Sequence, residues 1–122
     1  MSRRKSVKET IAPPERAFLV GVEWKSFPEG KFEPEDWKVE NSMVELQRLA
    51  DTAGLVVVGE ETQKLEKPNP STFIGKGKAR EIGETVRGMD VDVVIFDDEL
   101  APRHQRELEH IFGKDVKVMD RT

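Results

Sequence analysis

Between Asn69 and Ile82 the sequence NPSTFIGKGKAREI sets Gly75 and Gly77 among Lys76, Lys78 and Arg80, just after a proline-bearing turn. Those residue types at that spacing suit contact with a phosphate. Glycine reaches positive φ and lets another backbone come close, and the N–H groups that open a helix point toward an anion. The strict nucleotide motifs are not met. A P-loop needs G-x-x-x-x-G-K-S/T, whereas Lys78 is followed by Ala79, and a dinucleotide fingerprint needs a third glycine where Arg80 stands. As plain structure the segment is a glycine turn entering a helix with solvated lysines. As function it is a salt-dependent, sequence-independent contact with an RNA backbone.

A second constellation is Asp97-Asp98-Glu99, after the apolar run Val91–Phe96 and before Pro102. Acids at the end of a buried strand could accept a phosphoryl group or hold a metal, as in a response-regulator receiver. That chemistry also needs a cation held by acids after the first strand, and a positioned lysine. Only Glu23 follows the first strand, and no lysine follows a fifth. The structural alternative is that Asp97 or Asp98 caps the next helix. His104 and His110 fall on one helix, six positions apart and on different faces, and are expected at the surface. No catalytic triad or metal-ligand spacing is present.

Composition limits the rest. The chain has 122 residues, 36% of them hydrophobic and 36% charged, which fits one soluble α/β-sized domain. No apolar run spans a membrane, no secretory h-region follows the basic start, and the absence of cysteine removes disulfides and thiolate chemistry. A cytoplasmic protein without membrane contact is the expectation. Net charge is −4, but its placement is uneven. Residues 63–80, with Lys64, Lys67, Lys76, Lys78 and Arg80, carry a balance of +4, and residues 90–109 a balance of −5. Such asymmetry can orient a domain on a polyanion.

The elements that must position these residues follow from periodicity. Residues 1–14 form a basic tail ending at Pro13-Pro14, and the folded unit is expected over 15–122. Ala17–Val22, Leu55–Gly59 and Val91–Phe96 are apolar runs of strand length, expected to be covered on both faces, while Val116–Met119 alternates and suits an edge. Ser42 with Glu45 forms a capping-box signature, and Met43, Leu46, Leu49, Ala50 and Ala53 form a stripe that Gly54 stops. Ala79, Ile82 and Val86 mark a second helix, interrupted by Gly83. Pro102 opens a third that Gly113 ends. Strand and helix alternate, so a small three-layer sandwich is expected, with a mostly parallel four-stranded sheet and helices on both faces. Trp24, Phe27, Phe32 and Trp37 interrupt the loop after the first strand and are expected to pack on the domain's own surface.

These segments together resemble the amino-terminal domain of the HflX family of ribosome-associated GTPases. SMVELQRLADTAGLVVVGEETQ, residues 42–63, is similar to that family's first helix and second strand. Asn69–Ile82 resembles its loop D-P-x-T-Y/F-I-G-x-G-K-x-x-E-L/I, residues 95–109 its F-D-D-E-L-S/T-P-x-Q-x-R-N-L-E, and Val118–Thr122 its V-x-D-R-T. Ala101 departs from the Ser or Thr of the pattern, and Glu107 from its Asn. The resemblance implies a longer protein whose helical subdomain and GTPase domain, with GTP and Mg²⁺, lie outside this chain. It also implies binding to the large ribosomal subunit and action on stalled or idle ribosomes, for example by splitting them under stress. This domain would contribute position and affinity but no catalysis or cofactor of its own. The charge pattern adds Lys64, Lys67, Gly75, Lys76, Gly77, Lys78 and Arg80 as RNA-contacting residues, and Asp97, Asp98 and Glu99 as an interdomain or alternative ligand edge.

Overall fold

Alternating strand and helix signals become β1 (Arg16–Trp24), α1 (Val39–Thr52), β2 (Val56–Leu65), α2 (Lys76–Gly88), β3 (Val93–Phe96), α3 (Pro102–Phe112) and β4 (Lys117–Asp120). The computed structural model describes residues 13–24 and 39–121. Most of the basic tail, and Phe27, Phe32 and Trp37 of the aromatic loop, lie outside the described residues.

The sheet order is β2-β1-β3-β4 and every pairing is parallel. Side chains alternate across a strand, so each central strand feeds two cores. Ala17, Leu19, Val93 and Ile95 pack against Met43, Leu46 and Ala50 of α1. Phe18, Val20, Val94 and Phe96 pack against Ile82, Val86, Leu108 and Phe112 of α2 and α3. The expected three-layer α/β sandwich is therefore the observed one, with α1 the only described helix on one face. Full burial of each large apolar side chain contributes roughly 1.5–3 kcal/mol.

Three local expectations need correction. β2 is an edge strand, with Val56 43% exposed, so its apolar run is not covered on both faces. It also continues to Leu65, because β1 offers nine residues to pair with it. Its register shifts between Ala17, opposite Val57, and Phe18, opposite Gly59, leaving Val58 as a bulge. Gly59 is sterically required there, since a Cβ would stand 2.8 Å from Cε1 of Phe18.

The second correction concerns α1, which starts at Val39, so Ser42 lies inside the helix and does not cap it. Its carboxyl end follows the sequence closely. Gly54 has φ 86°, its N–H donates to Asp51 O at 3.0 Å, and Leu55 N–H donates to Ala50 O at 3.0 Å. This is a Schellman ending. Leu49 and Ala53 are exposed and do not belong to the buried stripe.

The third concerns Gly75 and Gly77, neither of which takes positive φ. Gly75 is extended, with φ −57° and ψ 145°, and Gly77 is in the first turn of α2. The left-handed residue in this segment is Phe73, at φ 67°.

Candidate site at the carboxyl edge of the sheet

The chain leaves β1 for β2 on one side and returns to β3 on the other, so the carboxyl ends of β1 and β3 flank a topological switch point. Asp97, Asp98 and Glu99 leave β3 at this edge. The Asp97 N–H donates to Val20 O at 2.9 Å, extending the pairing by one residue. Its carboxylate receives Arg121 Nη1 at 2.8 Å and is only 9% exposed. The other terminal nitrogen of Arg121 meets Glu45 Oε1 at 2.6 Å, and Ser42 Oγ lies 3.5 Å from Nη1. Ser42 and Glu45, spaced like a capping box, are thus spent on holding Arg121. Glu45 foremost, with Asp97, raises the guanidinium's already high pKa.

Beside this ion pair, Asp120 accepts the Leu100 N–H at 2.9 Å, and Gln105 donates to Val118 O at 2.7 Å. The DDEL segment and the MDR segment are therefore fastened to each other. A phosphoryl acceptor needs a free carboxylate beside a bound cation, whereas that of Asp97 is taken by Arg121. No group of three His, Cys, Asp or Glu among the described residues is placed to hold a metal ion. Asp98 differs from its neighbour. Burial, then the charge of Asp97, pushes its carboxyl up to about 6, against a hydrogen bond from Trp24 and the nearby Arg121. Glu99 is exposed.

The polar residues before α2 are consumed in building a closed loop. Asn69 and Phe73 exchange two backbone hydrogen bonds of 2.9 Å. Asn69 Oδ1 accepts from Ser71 N–H at 3.0 Å, Ser71 Oγ at 3.2 Å and Thr72 N–H at 3.2 Å, and the buried Thr72 hydroxyl donates to Ile74 O. The Phe73 ring anchors the loop edge-on against Trp24, Phe96 and His104, with centroids 5.9, 6.4 and 5.4 Å away. Trp24 thus packs on its own domain, as expected.

The structure divides the assigned cations. Lys76 and Arg80 are exposed one turn apart on α2, and Lys67 is exposed after β2. Lys78 is half-buried between Glu61 at 2.9 Å and Glu81 at 3.2 Å, and the hydrogen bond to Glu61, then that to Glu81, raises its pKa. Lys64 is on the opposite sheet face, because Gln63 Oε1 accepts the Gly75 N–H at 3.1 Å and Leu65 joins the α2 core. The five cations do not form one surface.

His104 is a further correction: it is buried, at 7% exposure, while His110 is exposed as expected. Ala101 has no side chain to cap α3, and His104 Nδ1 instead accepts the Ala101 N–H at 3.2 Å. That supplies the reciprocal half of a capping box. Nε2 has no partner of normal geometry, although the Pro70 and Asn69 carbonyls lie close enough to favour protonation somewhat. Burial dominates, with Arg103 adding repulsion, and the imidazole pKa is lowered. The available signal was positional: His104 occupies the Gln of the P-x-Q-x-R pattern.

Residues 40–122 match the family model described as GTP-binding GTPase N-terminal. The chain belongs to that family. It is 38% identical over 115 residues to GTPase HflX of Flavobacterium psychrophilum, covering 94% of this chain and 25% of the relative. With GTPase HflX of Alkalihalophilus pseudofirmus the identity is 44% over 88 residues, 72% of this chain and 20% of the relative. With that of Escherichia coli it is 37% over 78 residues, covering 64% and 18%. The chain therefore spans about a quarter or less of these relatives and corresponds to the amino-terminal part of HflX. A crystal structure of an SsGBP variant superposes with a TM-score of 0.57 at 21% identity, covering 87% of this chain and 29% of that one. That likeness concerns the fold. In this HflX domain the FDDEL and DR motifs are bonded to one another across the sheet's carboxyl edge. No described helix is long and apolar enough to cross a membrane.

Proposed function

We propose that this HflX N-terminal domain is a noncatalytic module that carries a longer GTP-binding protein onto the large ribosomal subunit in the cytoplasm. GTP and Mg²⁺ are bound by another domain of that protein, because no G-x-x-x-x-G-K-S/T occurs in these 122 residues. The observation that carries the reading is the exposure of Lys76 and Arg80, one turn apart on α2 and outside any ion pair among the described residues. Such side chains can displace counterions from an RNA backbone.

The test is co-sedimentation of the full-length protein with large subunits over a series of salt concentrations. Lys76→Glu with Arg80→Glu should weaken binding at least about fivefold and flatten its salt dependence, each lost phosphate contact removing about 0.7–0.9 from the slope. Unchanged binding rejects this surface. A second reading is favoured by Asp98, a half-buried carboxyl destabilised by its acidic neighbour, which would gain from an incoming cation of the protein's own GTPase domain. On that reading, GTP turnover without ribosomes changes when residues 1–122 are removed; equal turnover rejects it.

A further inference from the structure

β2 is ten residues long and has β1 on one side only. Among the described residues no strand runs along its other side. A long edge presents a row of unpaired N–H and C=O groups, which proteins ordinarily shorten, cover or interrupt. The bulge at Val58 interrupts this edge near its start, but Gly59–Leu65 then pair with Phe18–Trp24 without a further shift.

The hydrogen bonds on the far side of β1 decide which groups of β2 face outward. Arg16 O accepts from the Asp92 N–H and Val20 O from the Asp97 N–H, so the even-numbered residues of β1 point toward β3 and the odd-numbered ones toward β2. Val56, whose N–H donates to Glu15 O at 2.9 Å, agrees. In a parallel ladder a residue bonds to the two neighbours of the residue opposite it. Gly59, Glu61 and Gln63, opposite Phe18, Val20 and Val22, therefore direct their backbone groups inward. Glu60, Thr62 and Lys64 direct theirs to the free edge, and their side chains are exposed on the sheet face that carries Leu19 and α1.

Glu60-x-Thr62-x-Lys64 is complementary to itself when reversed. With a second copy antiparallel and Thr62 opposite Thr62, each Glu60 stands opposite Lys64 of the other copy. On the other sheet face Glu61 stands opposite Gln63, and Lys78 already neutralises Glu61 at 2.9 Å. The neighbouring registers are worse. A slide of two residues one way sets Glu61 against Glu61, and the other way sets Glu60 against Glu66, like charges that destabilise a strand pair.

We propose that β2 pairs with β2 of a second copy of this chain, antiparallel about a two-fold axis at Thr62, so that the two four-stranded sheets become one. Each of Glu60, Thr62 and Lys64 then exchanges two backbone hydrogen bonds with the residue opposite, and two Glu–Lys pairs fix the register. An edge pairing with a polar centre makes a weak dimer that depends on concentration. The inference uses neither Lys76 nor Arg80, and ribosome binding can fail or hold without altering it.

The experiment is sedimentation velocity of the full-length protein from micromolar to submillimolar concentration, with amide hydrogen exchange at Thr62. Mass should rise toward the dimer, and protection of the Thr62 amide should rise with it. Glu60→Lys or Lys64→Glu alone should weaken association about tenfold or more, because each sets like charges opposite at two places. Mixed in equal amounts, the two variants restore both pairs and should associate within about threefold of wild type. The swapped double variant, Glu60→Lys with Lys64→Glu, should do the same, and keeps the pairing testable where a single variant is too unstable to measure. Thr62→Pro removes an outward N–H without touching the β1 ladder and should abolish the dimer. A protein that stays monomeric at every concentration overturns the proposal. So does a dimer whose affinity survives both single reversals, or one that neither the mixture nor the swapped variant recovers. A Thr62 amide protected equally at all concentrations in a monomer also overturns it, and marks the edge as covered by the protein's own chain.

Discussion

Asp98 and His104 titrate in opposite senses on neighbouring segments, and the stability of the domain depends on both. The Asp98 carboxyl is pushed up from 3.8 to about 6, so the folded chain keeps a proton that the unfolded chain has released. Stability from this residue is present at low pH and is lost as pH rises from about 4 to 6. The His104 pKa is lowered from 6.5, so the unfolded chain takes up a proton that the folded chain refuses. Its contribution is present above about pH 6.5 and is lost on acidification. In the wild type the two slopes oppose each other. Asp98→Asn should raise the melting temperature at pH 7.5 more than at pH 4, and should leave a stability that falls on acidification below pH 6.5. His104→Gln should leave one that rises between pH 6 and pH 4. Thermal unfolding of each variant across that range checks both signs, and parallel curves for the two would refute the assignment. Six-residue spacing from His110, among charged neighbours, does not tell which of the two histidines is buried. What buried His104 was the missing hydroxyl at Ala101 and the ring of Phe73, neither of which is a periodic signal.

At the level of elements, most of the architecture was legible. The apolar runs, the glycine stop at Gly54 and the proline start at Pro102 all reflect local backbone chemistry, which a single sequence displays directly. The start of α1 and the length of β2 were not legible, because both depend on distant partners. Ser42 and Glu45 are recruited by an arginine 76 or more positions away, and Glu60–Leu65 become strand because β1 runs alongside. Charge sums failed for the same reason, since Lys78 and Asp97 are neutralised by residues that lie elsewhere in the sequence. At the start of α3, Ala101 has the extended backbone of a cap residue, with φ −71° and ψ 154°, but no oxygen to offer. Ala101→Ser should therefore stabilise the domain by about 1 kcal/mol, measured by urea unfolding. No gain would mean that His104 already satisfies that end of the helix.

Across the whole molecule, it was the family that the sequence made legible. The quoted motifs led to the family, but their residues prove to be largely internal. Asn69 and Thr72 close a loop, Asp97 and Arg121 clamp the sheet edge, and the exposed cations are distributed over α2, β2 and α3. A sequence signature here records what holds the domain together. The surface proposed to meet RNA lies beside it, on Lys76 and Arg80, which fall at variable positions of the motif.

The Arg121 clamp bears also on time. Its partners Ser42 and Glu45 are 79 and 76 positions away along the chain, and such distant contacts form only after the intervening loops have closed. Interactions made after the folding barrier slow unfolding and leave the folding rate almost untouched. In stopped-flow experiments Arg121→Ala should accelerate unfolding about tenfold or more, with refolding within about twofold of wild type. A matching slowdown in refolding would place the clamp in the nucleus instead. An arginine following the last strand would then set how long the native state survives, while the two cores on either side of β1 and β3 set how fast it is reached.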